Sequence, residues 1–197
     1  MDEIVLRVLS YDDIEKIRLW RNEAAGKGVY RTPYLLNEEM QYDFYKEKLS
    51  NRNANSRFWG IYKKISNNDL KSDEVYKYKI VGYCGIDNIQ WENRLGEIAL
   101  TIGNKYISFG YGKIALNLLL TEGFNNLNLL NIYGECYFCN PKIGFWEKYA
   151  KEHNAYITEL PERKYFNGDY YNSLYFNFNS YQYKIEEISN EKNNNSN

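Results

Sequence analysis

The sequence predicts one mixed α/β domain with a central β-α-β crossover. Three observations support this. Its 197 residues fit a single compact unit, and a hydrophobic content of 44% is enough to fill one core. Segments of period two and period three to four alternate in the order β α α β β β α β α β β. No internal repeat and no linker divides the chain, so residues 1–180 are read as the domain and 181–197 as a polar, disordered tail ending in "SNEKNNNSN".

The elements follow in order. "EIVLRVL" alternates apolar and polar residues as a half-buried strand does, and Ser10 with Asp13 forms a capping-box pattern that opens a helix through about Asn22. "GKGVYRTPYLL" carries glycines and a proline and reads as a loop. Asn37 then caps "EEMQYDFYKEKL", a second helix. "RFWGIYKK" and "YKIVGYCGIDNI" read as strands joined by the polar hairpin loop "ISNNDLKSDEVYK". A strand from Leu95 to Ile102 leads through closely spaced glycines into a helix from about Gly110 to Asn125, with Ile114, Leu118, Ala115 and Leu119 on one face. "NIYGECY" is the next strand, and the β-α-β unit so formed is expected to be a right-handed crossover between parallel strands. Asn140 and Pro141 open a helix through about Glu152, proline being tolerated in a first turn. Two strands near Tyr156 to Lys164 and Tyr170 to Asn177 flank "FNGD", a strong hairpin turn.

Composition narrows the function. A net charge of -1 leaves no basic footprint for a nucleic-acid backbone and no polybasic anchor for a membrane. No apolar run approaches the roughly 18 residues of a membrane span, and the N-terminal residues are acidic where a secretory signal is basic, so a cytoplasmic location is expected. Three cysteines cannot pair completely, which fits a reducing compartment. The pair Cys136 and Cys139 has only Cys84 and His153 available to complete a zinc site, so these thiols read as small apolar packing groups and no metal is expected.

The glycine turn is the most informative stretch. A strand, a tight turn and a helix N-terminus bring unpaired N–H groups and the positive end of a helix dipole to one point, a cradle for an anion. Gly110 and Gly112 allow close backbone approach, and Lys113 adds a positive charge. The same two glycines also suit a turn that binds nothing.

From Glu97 to Gly112 the chain resembles, without a gap, the strand and pyrophosphate loop of the GNAT superfamily of N-acetyltransferases, in particular the ribosomal-protein and amino-sugar acetyltransferase branch. "LRVLSYDDIEKIRLWRNE" resembles that branch's opening strand and helix, and "YFNGDYYNSLYF" its closing hairpin. The resemblance implies a mostly antiparallel, twisted sheet flanked by helices, and acetyl-CoA as co-substrate. It places Ile107, Ser108, Phe109, Gly110, Tyr111, Gly112 and Lys113 around the pyrophosphate. It likewise implies that the backbone of Ala99, Leu100 and Thr101 lies along the pantetheine arm and that Asn140 touches the cofactor, or simply caps the next helix. Where the superfamily often has Gln or Arg, this chain has Ile107.

Acetyl transfer to an amine requires a base, a polarising donor for the carbonyl and, ideally, an acid for the departing thiolate. The resemblance makes Glu135 the first candidate base, since it precedes Asn140 by the spacing of a catalytic glutamate in some superfamily members; its pKa is expected to rise toward neutrality if half-buried, and Glu97 is the second candidate. Either could instead be a strand glutamate in an ion pair. The superfamily's tyrosine acid falls at Glu147, leaving Tyr149 as a substitute or as an ordinary buried tyrosine. The resemblance places the acceptor, a small-molecule or peptide amine, at the loop between the first two helices, which brings forward Arg21, Arg31 and Tyr34 to bind a polar or anionic acceptor, or as solvated surface groups. A non-catalytic acyl-CoA-binding or protein-interaction module on the same fold is the alternative, and apolar strand edges near the C-terminus could support a homodimer.

Overall fold

The computed structural model describes residues 2–65 and 78–183. Strands β1 (Ile4–Arg7), β2 (Arg57–Lys64), β3 (Tyr78–Gln90), β4 (Leu95–Ile102), β5 (Asn131–Tyr137), β6 (Tyr156–Phe166) and β7 (Asp169–Asn179) form one sheet in the order β1-β2-β3-β4-β5-β7-β6. Helices α1 (Ile14–Ala25) and α2 (Glu38–Phe44) join β1 to β2, α3 (Tyr111–Thr121) joins β4 to β5, and α4 (Ile143–Glu152) joins β5 to β6. All strand pairs are antiparallel except β4 with β5. The element order is the one expected from the sequence.

Local signals account for most boundaries. The backbone N–H and hydroxyl of Ser10 both donate to Asp13 Oδ2, so the chain turns into α1, which runs three residues past Asn22. The Asn37 side chain accepts from the Met40 N–H at 2.8 Å and starts α2. Asn167 and Gly168 both take positive φ, 52° and 93°, as the tight β6–β7 hairpin requires. Pro141 does not open α4: it lies in the preceding turn, and the helix begins at Ile143. β1 ends at Arg7, shorter than the alternation suggested. The polar hairpin loop falls outside the described residues except for Ile65, and so does the tail from residue 184.

Two cores sandwich the sheet. The larger packs Ala115, Leu116, Leu119 and Leu120 of α3 and Tyr149 and Ala150 of α4 against Ile61, Cys84, Ile86 and Ile132. The buried stripe of α3 is therefore rotated from the expected one, because Ile114 and Leu118 are only half-buried. Full burial of one such leucine stabilises by about 1.5–3 kcal/mol. On the opposite face a smaller cluster, Leu9, Ile17, Ile80 and Tyr83, seats α1. The sheet thus presents one face to α3 and α4 and the other to α1, α2 and the loop between them.

Candidate active site

The functional geometry begins where two strands part. β4 and β5 pair only through Leu95↔Asn131, Gly96↔Ile132 and Glu97↔Tyr133. Beyond Glu97, β4 stays bonded to β3 on its other side, with Ala99 opposite Gly85, Leu100 opposite Cys84 and Thr101 opposite Tyr83. β5 meanwhile follows β7 as far as Tyr137↔Ser173. The main chain of residues 98–102 consequently presents a strand edge to open space, and such an edge accepts an extended ligand as an added strand. The wedge opens into a cleft of about 930 Å³.

The glycine turn forms the mouth of this cleft. Ser108 and Gly110 both have positive φ, 74° and 80°, and Gly110 is the residue from which α3 starts. The first N–H groups of α3 have no partner within the helix and carry its positive dipole end. Gly112 fits an incoming group in a second way. A Cβ there would point among Leu100, Ile102 and Phe145, the inner lining of the cleft, at 3.6–3.8 Å. The residues present therefore suit a coenzyme arm along β4 and an anionic group at the turn.

Fourteen of the seventeen sequence-predicted residues line the cleft: Glu97, Ala99, Leu100, Thr101, Ile107, Ser108, Gly110, Tyr111, Gly112, Lys113, Glu135, Asn140, Arg21 and Arg31. Lys113 is also ion-paired to Glu152 at 2.9 Å, and Tyr111 donates its hydroxyl hydrogen bond to Asp2. Asn140 is buried, and its Oδ1 accepts from the Lys142 N–H at 2.9 Å, so it shapes the turn before α4 while facing the cleft.

The other three lie elsewhere. Phe109 is exposed and stacks on Tyr111 outside the cleft. Tyr34 is exposed and does not line the cleft. Tyr149 is 1% exposed, and its hydroxyl donates to Asn117 Oδ1 at 2.7 Å between α3 and α4. Its ring packs on His153 and Phe178 in the core, so it has no path to a thiolate in the wedge and is not the substitute acid.

The two glutamates stand on opposite lips of the wedge, and Arg31 spans it. Its NH2 lies 2.6 Å from Glu97 Oε1 and 4.0 Å from Glu135 Oε2. Glu97 Oε2 also accepts from Asn88 at 3.0 Å. Glu135 Oε1 accepts from Arg163 Nε at 3.0 Å and from Ser173 Oγ at 2.7 Å. Burial alone would push the Glu135 carboxyl up, but the Arg163 and Ser173 hydrogen bonds and the nearby guanidinium charges outweigh it. The carboxyl is held below its usual value. The expected rise toward neutrality is therefore corrected, and the ion-pair reading of Glu135 is the observed one.

Sequence reasoning missed several partners. Tyr30 lines the cleft with its hydroxyl 3.2 Å from Thr101 Oγ1, and burial raises its pKa. Lys164 is buried and donates to the carbonyls of Tyr30 and Arg31, 3.0 Å each, fixing the loop over the wedge. Gly85 lies flat beneath the Phe58 ring, where a Cβ would be 2.2 Å from the ring. No short motif marks these pairs; the one local signal was the position of Tyr30 next to Arg31.

Cys136 lines the cleft beside Glu135 and Tyr137. Cys84 and Cys136 are buried, and burial pushes the Cys136 thiol up to about 12. Among the described residues no group of three or more His, Cys, Asp and Glu side chains is placed to hold a metal ion. No helix among them is long and apolar enough to cross a membrane.

Comparisons with known proteins agree with this fold. A family model described as an acetyltransferase (GNAT) domain matches residues 3–144. No curated protein sequence matches the chain. Among solved structures, spermidine N-acetyltransferase from Vibrio cholerae in complex with CoA and spermine superposes with a TM-score of 0.75 at 20% identity, covering 91% of this chain and 97% of that one. Mutant forms of the spermidine/spermine N-acetyltransferase from the same organism give 0.74 at 19% identity, with 93% and 98% covered. At these identities the likeness is one of fold.

Proposed function

The chain belongs to the GNAT acetyltransferase family, whose co-substrate is acetyl-CoA, and from that premise we propose that it transfers the acetyl group to a primary amine by direct attack on the thioester. One observation carries the reading: β4 and β5 separate after Glu97, leaving a free strand edge that runs toward a glycine turn at the start of α3.

The bound thioester supplies the activated acetyl group, so the chain needs no covalent nucleophile. The edge of Ala99, Leu100 and Thr101 holds and orients the coenzyme arm. The turn from Ile107 to Gly112 holds the pyrophosphate on main-chain N–H groups, with Lys113 and Asn140 beside it. A main-chain N–H near Leu100 polarises the carbonyl.

Glu97 is the better base of the two glutamates. It sits at the apex of the wedge, on the last paired residue of β4. Its partners are Asn88, a neutral amide, the neutral hydroxyl of Tyr133, and Arg31, whose side chain is 61% exposed and can swing away. Glu135 is bound by three groups and held strongly anionic, which makes it a weak proton acceptor and a suitable anchor. Glu97 would take the amine proton directly or through a water. With Tyr149 in the core, solvent would protonate the thiolate.

The test is coenzyme-dependent thiol release over peptides with free N-termini, amino sugars, amine-bearing antibiotics and polyamines including spermidine and spermine, with thermal shift by CoA as the binding control. Release with at least one class and a shift in melting temperature are expected. A shift with no release would favour a non-catalytic coenzyme-holding domain. Neither signal would overturn the proposal.

A further inference from the structure

The acceptor-facing wall of the cleft carries an unbalanced charge. Three carboxylates lie there, and each has a basic partner. Asp87 pairs with Lys48 at 2.8 Å, Glu97 with Arg31, and Glu135 with Arg163. Arg21 is the fourth basic group and pairs with none of them. Its NH2 makes one long hydrogen bond, 3.3 Å to Thr32 Oγ1, and its guanidinium carbon lies 5.2 Å from the centre of the Tyr30 ring. Its Nε is buried with no hydrogen-bond partner. Among the described residues no carboxylate lies within ion-pair distance of it. Lys27, exposed on the turn after α1, lines the same cleft and adds charge of the same sign.

A guanidinium packed against one aromatic ring, with an unmet N–H and no carboxylate partner, is an incomplete site. An anion placed beside it gains charge-assisted, bidentate hydrogen bonds. The coenzyme's pyrophosphate is assigned to the α3 turn, and the pantetheine arm has no anionic group. Arg21 sits instead on α1, between Thr32 and the Tyr30 ring, on the face of the sheet that carries Glu97 and Thr101.

Resting on the acetyl-transfer reading, we infer that the acceptor amine carries an anionic group, a carboxylate or a phosphate, and that Arg21 receives it. The amine itself lies toward Glu97. Arg21 is then a specificity-determining residue, and a polycation such as spermidine is a poor acceptor, because it meets the surplus positive charge with nothing to offset it.

Matched acceptors test this: a dipeptide and its C-terminal amide, 2-aminoethyl phosphate and ethanolamine, and spermidine, each with the wild type, Arg21→Gln and Arg21→Lys. CoA and dephospho-CoA affinities are measured alongside. The wild type is expected to prefer the anionic member of a pair by about ten- to a hundredfold in kcat/KM, the worth of a charged hydrogen-bonding partner. Whichever anionic member leads tells carboxylate from phosphate. Arg21→Gln should abolish the preference, mainly through KM. Arg21→Lys should keep part of it, and CoA affinity should hold in both. Preference for neutral or polycationic amines overturns the inference, as does a preference that survives Arg21→Gln, or a variant that loses CoA affinity, which would give Arg21 to the coenzyme. If CoA binds and no amine in the broader panel is acetylated, the transfer reading itself falls and takes this inference with it.

Discussion

The wall of the cleft proposed for the coenzyme is main chain: the free edge of residues 98–102, a turn with two residues at positive φ, and the unpaired N–H groups that start α3. The acceptor-side wall is side chain: Arg21, Arg31, Glu97 and Glu135, with Arg163 and Lys164 behind them. A wall of backbone depends on a few small residues and little else. A wall of charged side chains depends on contacts between distant segments and can change its selectivity one residue at a time. The first suits a co-substrate shared across a family, the second an acceptor particular to this chain.

Substitutions that strike one wall and spare the other test this division. The largest effect is expected from Glu97→Gln, which removes the proposed base and should lower kcat roughly a hundredfold or more while coenzyme affinity, read by calorimetry, stays put. An unchanged kcat would exclude Glu97. Gly112→Val should do the reverse. Its added methyls enter the cleft beside Leu100 and Phe145, and CoA affinity should fall about a hundredfold, about 2.7 kcal/mol. The melting temperature should hold, because valine has a slightly better helix propensity than glycine. Retained affinity would mean that the coenzyme does not pass Gly112.

Tyr149→Phe belongs to neither wall. Losing its hydrogen bond to Asn117 should cost about 1 kcal/mol of stability in denaturant melts and leave kcat unaltered. A tenfold drop in kcat at full occupancy would return Tyr149 to the mechanism. The smallest effect is a pH dependence. Folding holds Glu135 below the ordinary value of 4.5, so its contribution to stability is complete above that pH and is lost as the pH falls toward the folded value. The melting-temperature gap between the wild type and Glu135→Gln should therefore be steady near neutrality and narrow below about pH 4.5. A gap that stays constant into acid would show that the ion pair with Arg163 contributes nothing.

The same division explains what was legible in the sequence. β4, the glycine turn and α3 are consecutive, so local periodicity and two small residues are enough to read the strand, the turn and the helix start from the sequence. The capping pair Ser10 and Asp13, the cap at Asn37 and the Asn167–Gly168 turn were legible for the same reason. The acceptor side joins residues far apart: Arg31 and Glu97 are separated by 66 positions, Tyr30 and Thr101 by 71, and Lys164 and the loop carbonyls it holds by more than 130. Glu135 was recognised as a candidate, but its low pKa depends on Arg163 and Ser173, which no spacing rule brings to it. For Tyr149 the sequence leaves two readings, substitute acid or buried tyrosine, and packing against His153 and Phe178 selects the buried one.

The central claim is that residues 98–102 receive the coenzyme as an added strand, and hydrogen exchange with and without CoA reads this most directly. Amides of residues 98–102 that do not bond to β3 should slow strongly on CoA binding, together with those of residues 110–113, while amides of 95–97, already paired to β5, change little. Saturating CoA that leaves the 98–102 amides exchanging at the free rate would contradict it.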